Sequence, residues 1–67
     1  MTSETTIRAT VTGAQDGYAV TVVLENGGQL LTLAEKAVES RVEAEAVARA
    51  LGAHHGVLWH KVEMLYR

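Results

Sequence analysis

The sequence predicts an α+β fold: a two-layer antiparallel sheet in β-β-β-α-β order with one helix packed on one face. Three observations carry that expectation. Residues 5–12 and 18–25 alternate apolar with polar side chains and are rich in β-branched residues, the pattern of half-buried strands. Asn26-Gly27 follows the second stretch, and a two-residue hairpin turn needs positive φ at both central positions, which Asn and Gly tolerate best. From Ser40 onward the apolar period becomes that of a helix, and after Gly56 it returns to that of a strand.

The first strand, residues 5–12, sets Ile7, Ala9 and Val11 on one side and Thr6, Arg8, Thr10 and Thr12 on the other. The second, residues 18–25, sets Tyr18, Val20, Val22 and Leu24 against Ala19, Thr21, Val23 and Glu25. Between them Gly13-Ala14-Gln15-Asp16-Gly17 supplies turn chemistry. For the apolar sides to share a face, Gly13 must stand opposite Tyr18, because a slip of one residue would turn the first strand's apolar side to solvent. With Asn26-Gly27 as the turn, Glu25 pairs with Gly28, Leu24 with Gln29, Val22 with Leu31 and Val20 with Leu33. The third strand then covers residues 29–37.

Two capping-box patterns compete for the helix start, Thr32 with Glu35 and Ser40 with Glu43. A helix from Ser40 gathers Arg41, Glu45 and Arg49 on one polar stripe and Ala44, Val47, Ala48 and Leu51 on an apolar face. Extending it back to Leu33 brings Lys36 and Glu39 beside the apolar side, so the helix is placed over residues 41–51. Gly52 is then the left-handed residue that ends it. Ala53-His54-His55-Gly56 is a connector, and residues 57–66 form the last strand. Its sides are Leu58, His60, Val62, Met64 and Tyr66 against Val57, Trp59, Lys61, Glu63 and Leu65.

The covered face is predicted to hold Ile7, Val11, Val20, Val22, Leu24, Leu31, Leu33, Leu58, Val62 and Met64 under the helix alanines. The opposite face, left open, carries Thr6, Arg8, Thr10, Ala19, Thr21, Val23, Leu30, Thr32, Trp59, Lys61 and Leu65. That mixture is apolar for a surface, and such patches mark association sites. The alternative is that the last strand folds over part of this face and Trp59 packs within the monomer.

With 67 residues there is room for one domain, residues 1–67, with residues 1–4 a flexible N-terminal tail. A chain this short buries only about 60% of its unfolded surface and has no cysteine to staple it, which points to a reducing cytoplasm. The polar start lacks the basic and apolar segments of a signal peptide, and the apolar runs are too short for a membrane span. A formal charge of −2 argues against general polyanion binding.

The candidate chemistry is thin. His54, His55 and His60 invite a metal, but neighbouring histidines diverge and no Asp or Cys completes a shell, so no metal or cofactor is expected. Ser3 falls in the tail and Ser40 serves as a cap, so no nucleophile finds a triad. Glu43 and Glu45 diverge on a helix, and Asn26-Gly27-Gly28 is a hairpin turn followed by a strand rather than a phosphate loop. No catalytic residue is assigned, and the chain is not expected to be an enzyme.

By elimination the expected function is binding to another protein. Trp59 is the expected anchor, with Leu30, Val23 and Leu65 around it and Arg8 and Lys61 giving polar contacts. A second candidate contact is the acidic cluster Glu35, Glu39, Glu43 and Glu45 near the helix start, suited to a basic partner or to stabilising the helix N-terminus. The run Thr5-Thr6-Ile7-Arg8-Ala9-Thr10-Val11-Thr12, leading to Asn26-Gly27-Gly28 and one helix in an acid-leaning, cysteine-free chain, resembles the small phage-encoded inhibitors called anti-CRISPR proteins. The resemblance is one of overall character, and no functional residue is carried over from it. It implies stoichiometric binding to a CRISPR effector subunit in the host cytoplasm, blocking target-DNA recognition or nuclease recruitment. Two other readings stay open: a nucleic-acid-binding or regulatory module using Arg8, Lys61 and Trp59, and a homodimer whose open faces pair.

Overall fold

The alternating stretches form strands β1 (Thr5–Ala14), β2 (Gly17–Asn26) and β3 (Gln29–Val38). Helix α1 (Arg41–His54), a 3-10 turn over Trp59–Lys61 and strand β4 (Val62–Tyr66) complete the fold. The structure is a computed structural model that describes residues 4–67. Of the tail expected over residues 1–4, residues 1–3 lie outside the described residues, and the Glu4 carboxylate stands 3.6 Å from Lys61 Nζ. The four strands form one sheet in the order β3-β2-β1-β4 with α1 packed on it, so the expected α+β fold and element order hold.

The sheet is mixed rather than wholly antiparallel. β1 with β2 and β2 with β3 are antiparallel hairpins, whereas β4 runs parallel to β1. This direction follows from the connection: the helix returns the chain to the end of the sheet where β1 and β3 begin, and a strand starting there runs with them.

Pairing of β1 with β2 follows the apolar pattern, with Gly13 opposite Tyr18, Val11 opposite Val20 and Ile7 opposite Leu24. The second hairpin departs from expectation by one turn position. Gly27 and Gly28, at φ 60° and 85°, form the turn, and Asn26 stays in the strand opposite Gln29. Two glycines enter the left-handed region at no Cβ cost, so they displace the Asn-Gly alternative. Leu24 therefore faces Leu31 rather than Gln29.

A bulge between Val22 and Val23 then absorbs one residue of β3, leaving Leu33 extra and pairing Val22 with Ala34, Val20 with Lys36 and Tyr18 with Val38. The shift by one exchanges faces along the rest of β3. Val38 turns into the core, Lys36 joins the helix side of the outer strand, and Glu35 joins the open face opposite Thr21.

The core consists of Ile7, Ala9, Val11, Val20, Val22, Val38 and Val57 against Ala44 and Ala48, with Leu24, Leu33, Val47, Leu51, Val62 and Met64 around it. Leu31 and Leu58, both expected there, are exposed, at 58% and 64%. Leu31 sits at the turn end of the outer strand, and Leu58 precedes β4 in the connection; Ala9, Val38 and Val57, outside the predicted set, are buried.

Ser40 caps α1 as expected: its Oγ accepts the Glu43 amide at 3.1 Å, while Glu43 Oε2 accepts the Glu39 amide at 3.1 Å. The helix outlasts its expected end by three residues, from Leu51 to His54. Gly52 is thus inside it and buried, and the ending glycine is Gly56 at φ 72°. The Gly56 amide donates to Ala53 O at 3.1 Å and the Val57 amide to Gly52 O at 2.8 Å, which is the Schellman arrangement with its apolar residue, Val57, buried.

Candidate functional site: the open sheet face

Alternation places Thr6, Arg8, Thr10 and Thr12 of β1, Ala19, Thr21, Val23 and Glu25 of β2, and Glu63 and Leu65 of β4 on the face away from the helix. The bulge then decides what β3 adds: Leu30 and Thr32 before it, Glu35 and Ala37 after it. Arg8 stands between Val23 and Glu63 across the strands, Leu30 is opposite Glu25, and Leu65 is opposite Thr10. Thr6, Arg8, Val23, Glu25, Leu30 and Glu63 line a shallow hollow of about 150 Å³. Leu30, 68% exposed, is its apolar rim, and half-buried Val23 lies beside it.

The charges of this face are weakly committed. Arg8 Nε lies 4.0 Å from Glu63 Oε2, both side chains more than half exposed. Such a pair is worth at most about 1 kcal/mol, so either member is free to exchange partners. Glu25 and Glu63 share the hollow with Arg8, and Glu35 stands farther out opposite Thr21, so the strands of this face carry three carboxylates against one guanidinium. No polar side-chain atom is buried without a partner among the described residues, and no group of three or more His, Cys, Asp or Glu there could hold a metal ion. The His54 and His55 rings meet edge to face at 5.2 Å, and His60 lies in the 3-10 turn rather than in a strand.

The sequence-predicted anchor is the main correction. Trp59 and Lys61 do not lie on the strand but in the turn before it, where the Lys61 amide bonds to Leu58 O at 2.9 Å. Trp59 instead packs beside the helix, with the Arg49 guanidinium 4.2 Å from its ring centroid. After Gly56 the chain must step from the helix layer down to the sheet, and residues 57–61 make that step before β4 begins. Of the six expected contact residues, the structure unites Arg8, Val23, Leu30 and Leu65 on one face, keeps Lys61 at its edge in a hollow shared with Thr6 and Glu63, and separates Trp59 from them. An Arg8-Lys61-Trp59 platform for bases and phosphates is therefore not assembled.

The acidic cluster is also divided. Glu35 is on the open face, Glu39 and Glu43 are joined at the helix start, and Glu45 accepts a hydrogen bond from the Tyr66 hydroxyl at 2.8 Å. Glu25 and Glu63 complete the acidic face with Glu35. Neither was singled out from the sequence, although the polar side of each alternating strand already contained it. No family model, curated protein or solved structure matches this chain.

Proposed function

We propose that this protein is a non-enzymatic binding module that docks its open sheet face on a larger protein. Leu30 and Val23 make the apolar contact, and Glu25, Glu35 and Glu63 meet basic groups around it. The supporting observation is the exposure of Leu30 beside Val23 on a face that no second layer covers. The complementary surface is an apolar patch rimmed by Lys and Arg, since opposed charge steers docking and rejects acidic partners. Protein surfaces that handle nucleic acid are basic. A CRISPR effector subunit is accordingly the first target to try, in line with the resemblance of the sequence to anti-CRISPR inhibitors. Stoichiometric occupation of such a surface blocks DNA recognition or nuclease recruitment without chemistry.

The test is capture from a nuclease-treated lysate containing CRISPR effector complexes, with the tagged protein and its Leu30→Asp variant side by side at moderate salt. One effector subunit recovered in stoichiometric amount by the native chain, and lost with a variant of unchanged melting temperature, is the expected result. Capture that survives Leu30→Asp overturns the site. Material that disappears with nuclease assigns the face to nucleic acid, and a doubled mass with no captured protein assigns it to a second copy.

A further inference from the structure

On the helix side of the molecule a second feature is independent of the open face. The last turn of α1, the Gly56–Leu58 connection and the 3-10 turn enclose a groove of about 370 Å³, lined by Arg49, Ala53, Val57, Leu58, Trp59 and Val62. This is within the range of small-molecule sites and, at about 30 Å³ per water, holds on the order of a dozen non-hydrogen atoms. Its floor, Val57 and Val62, is aliphatic, and its rim, Leu58 and Trp59, is apolar and open to solvent, with Trp59 41% exposed.

One charged side chain lines it. The Arg49 guanidinium carbon lies over the Trp59 ring, 4.2 Å from its centroid, and among the described residues the ion pairs and side-chain hydrogen bonds all lie elsewhere. A cation–π contact uses the guanidinium's charge but none of its N–H donors as hydrogen bonds to a carboxylate, so the fork that suits a planar, bidentate acceptor is uncommitted. The helix end, which would otherwise oppose an anion, has its carbonyls occupied: Leu51 and Gly52 accept from the His55 amide, Gly52 from Val57 and Ala53 from Gly56.

We infer that this groove binds a small aliphatic monocarboxylate, its carboxylate on Arg49 and its hydrocarbon body along Val57, Leu58, Trp59 and Val62. An aliphatic body is favoured over an aromatic one because the wall is built of Ala, Val and Leu, and Arg49 already occupies the Trp59 ring.

Trp59 is the single tryptophan of the chain, so its selectively excited fluorescence reads the groove directly. Octanoate below its micellar range is titrated into the full chain alongside octanamide, which has the same body without the charge. Saturable quenching or shift is expected with octanoate and at least about ten-fold weaker with octanamide, the scale of one charge-assisted hydrogen-bond pair. Arg49→Gln should erase that preference, and Ala53→Leu, which fills the groove from the exposed helix surface without touching charge, should weaken both ligands while circular dichroism stays native. Equal binding of octanamide, an unchanged preference in Arg49→Gln, or a response only to a peptide ending in a free leucine carboxylate overturns the assignment.

Discussion

Glu45 Oε1 accepts the Tyr66 hydroxyl at 2.8 Å, tying the middle of the helix to the last strand across 21 positions of sequence. One helical turn earlier, the Arg41 guanidinium carbon lies 5.1 Å from the Tyr66 ring centroid and 5.9 Å from that of Tyr18. One turn later, Arg49 lies over Trp59. The polar stripe of the helical projection is therefore a row of three side chains that make four contacts to aromatic side chains. These contacts matter most for β4, a five-residue edge strand held otherwise by one parallel neighbour.

The hydrogen bond to Glu45 holds the Tyr66 hydroxyl above the ordinary value of 10.0, with desolvation and the Glu45 charge adding to it and the Arg41 charge opposing. Because the folded chain keeps this proton more firmly than the unfolded one, the contribution is complete below the ordinary tyrosine value. It disappears as pH rises through the raised folded value. Urea midpoints measured from neutral pH to above pH 10 should fall more steeply for the native chain than for Tyr66→Phe at the alkaline end. Superimposable profiles would show that the contact contributes nothing to folding.

The Ser40 cap satisfies the Glu43 amide, and the returning Glu43 carboxylate satisfies Glu39. Ser40→Ala is expected to cost about 1 kcal/mol and Ser40→Asp to retain most of the stability, because Asp caps as well as Ser. Thermal and denaturant unfolding check this, and a Ser40→Ala variant as stable as the native chain rules the cap out as a determinant of helix α1.

Where periodicity and end chemistry agreed, the structure was readable in advance. The β1/β2 register, the Ser40–Glu43 cap and the Ala44–Ala48 face all follow from residue spacing. Three features were not readable, each for a physical reason. Asn26-Gly27 and Gly27-Gly28 are both competent turns, and choosing between them moves the pairing by two residues while leaving the faces unchanged. The Leu33 bulge has no signature in a run as apolar as Leu30-Leu31-Thr32-Leu33-Ala34, yet it decides that Glu35 joins the open face. Strict alternation over residues 57–66 fits a long strand as well as it fits a short strand after a 3-10 turn, so alternation alone puts Trp59 on the wrong layer. Within the candidate site, Leu30, Val23, Arg8 and Leu65 were legible from parity alone.

At Gly52 the helix lies close against the sheet and the Val57 connection. A Cβ there would meet Val62 Cγ2 at 3.3 Å, the Val57 carbonyl oxygen at 3.4 Å and Ile7 Cδ1 at 3.7 Å. Gly52→Ala gains about 1 kcal/mol of helix propensity and loses a comparable amount to this crowding, so it should unfold at nearly the native midpoint. Gly52→Leu has no room and is expected to lose about 1–3 kcal/mol or more through displacement of the helix from Ile7 and Val62. A Gly52→Leu chain with native stability would mean that the two layers do not meet at this point.

Strand β3 is a ten-residue edge with exposed Leu30 and Leu31, the kind of surface that recruits a second strand. Two features oppose this: the bulge at Leu33, which breaks the regular ladder, and Lys36, a charge carried on the helix side of the outer strand opposite Val20. An added strand would have to bury that ammonium or displace it, whereas in the monomer its long stem lets the charge stay in water. Lys36→Val removes the obstacle while keeping a strand-forming residue, and should convert the chain to concentration-dependent oligomers by sedimentation velocity, with a rise in amyloid-dye fluorescence on warming. Lys36→Glu, which changes the sign of the charge but keeps its hydration, should remain as monomeric as the native chain. If Lys36→Val sediments as a monomer over the same concentrations, the bulge alone guards the edge; if Lys36→Glu also associates, the positive sign itself is required there.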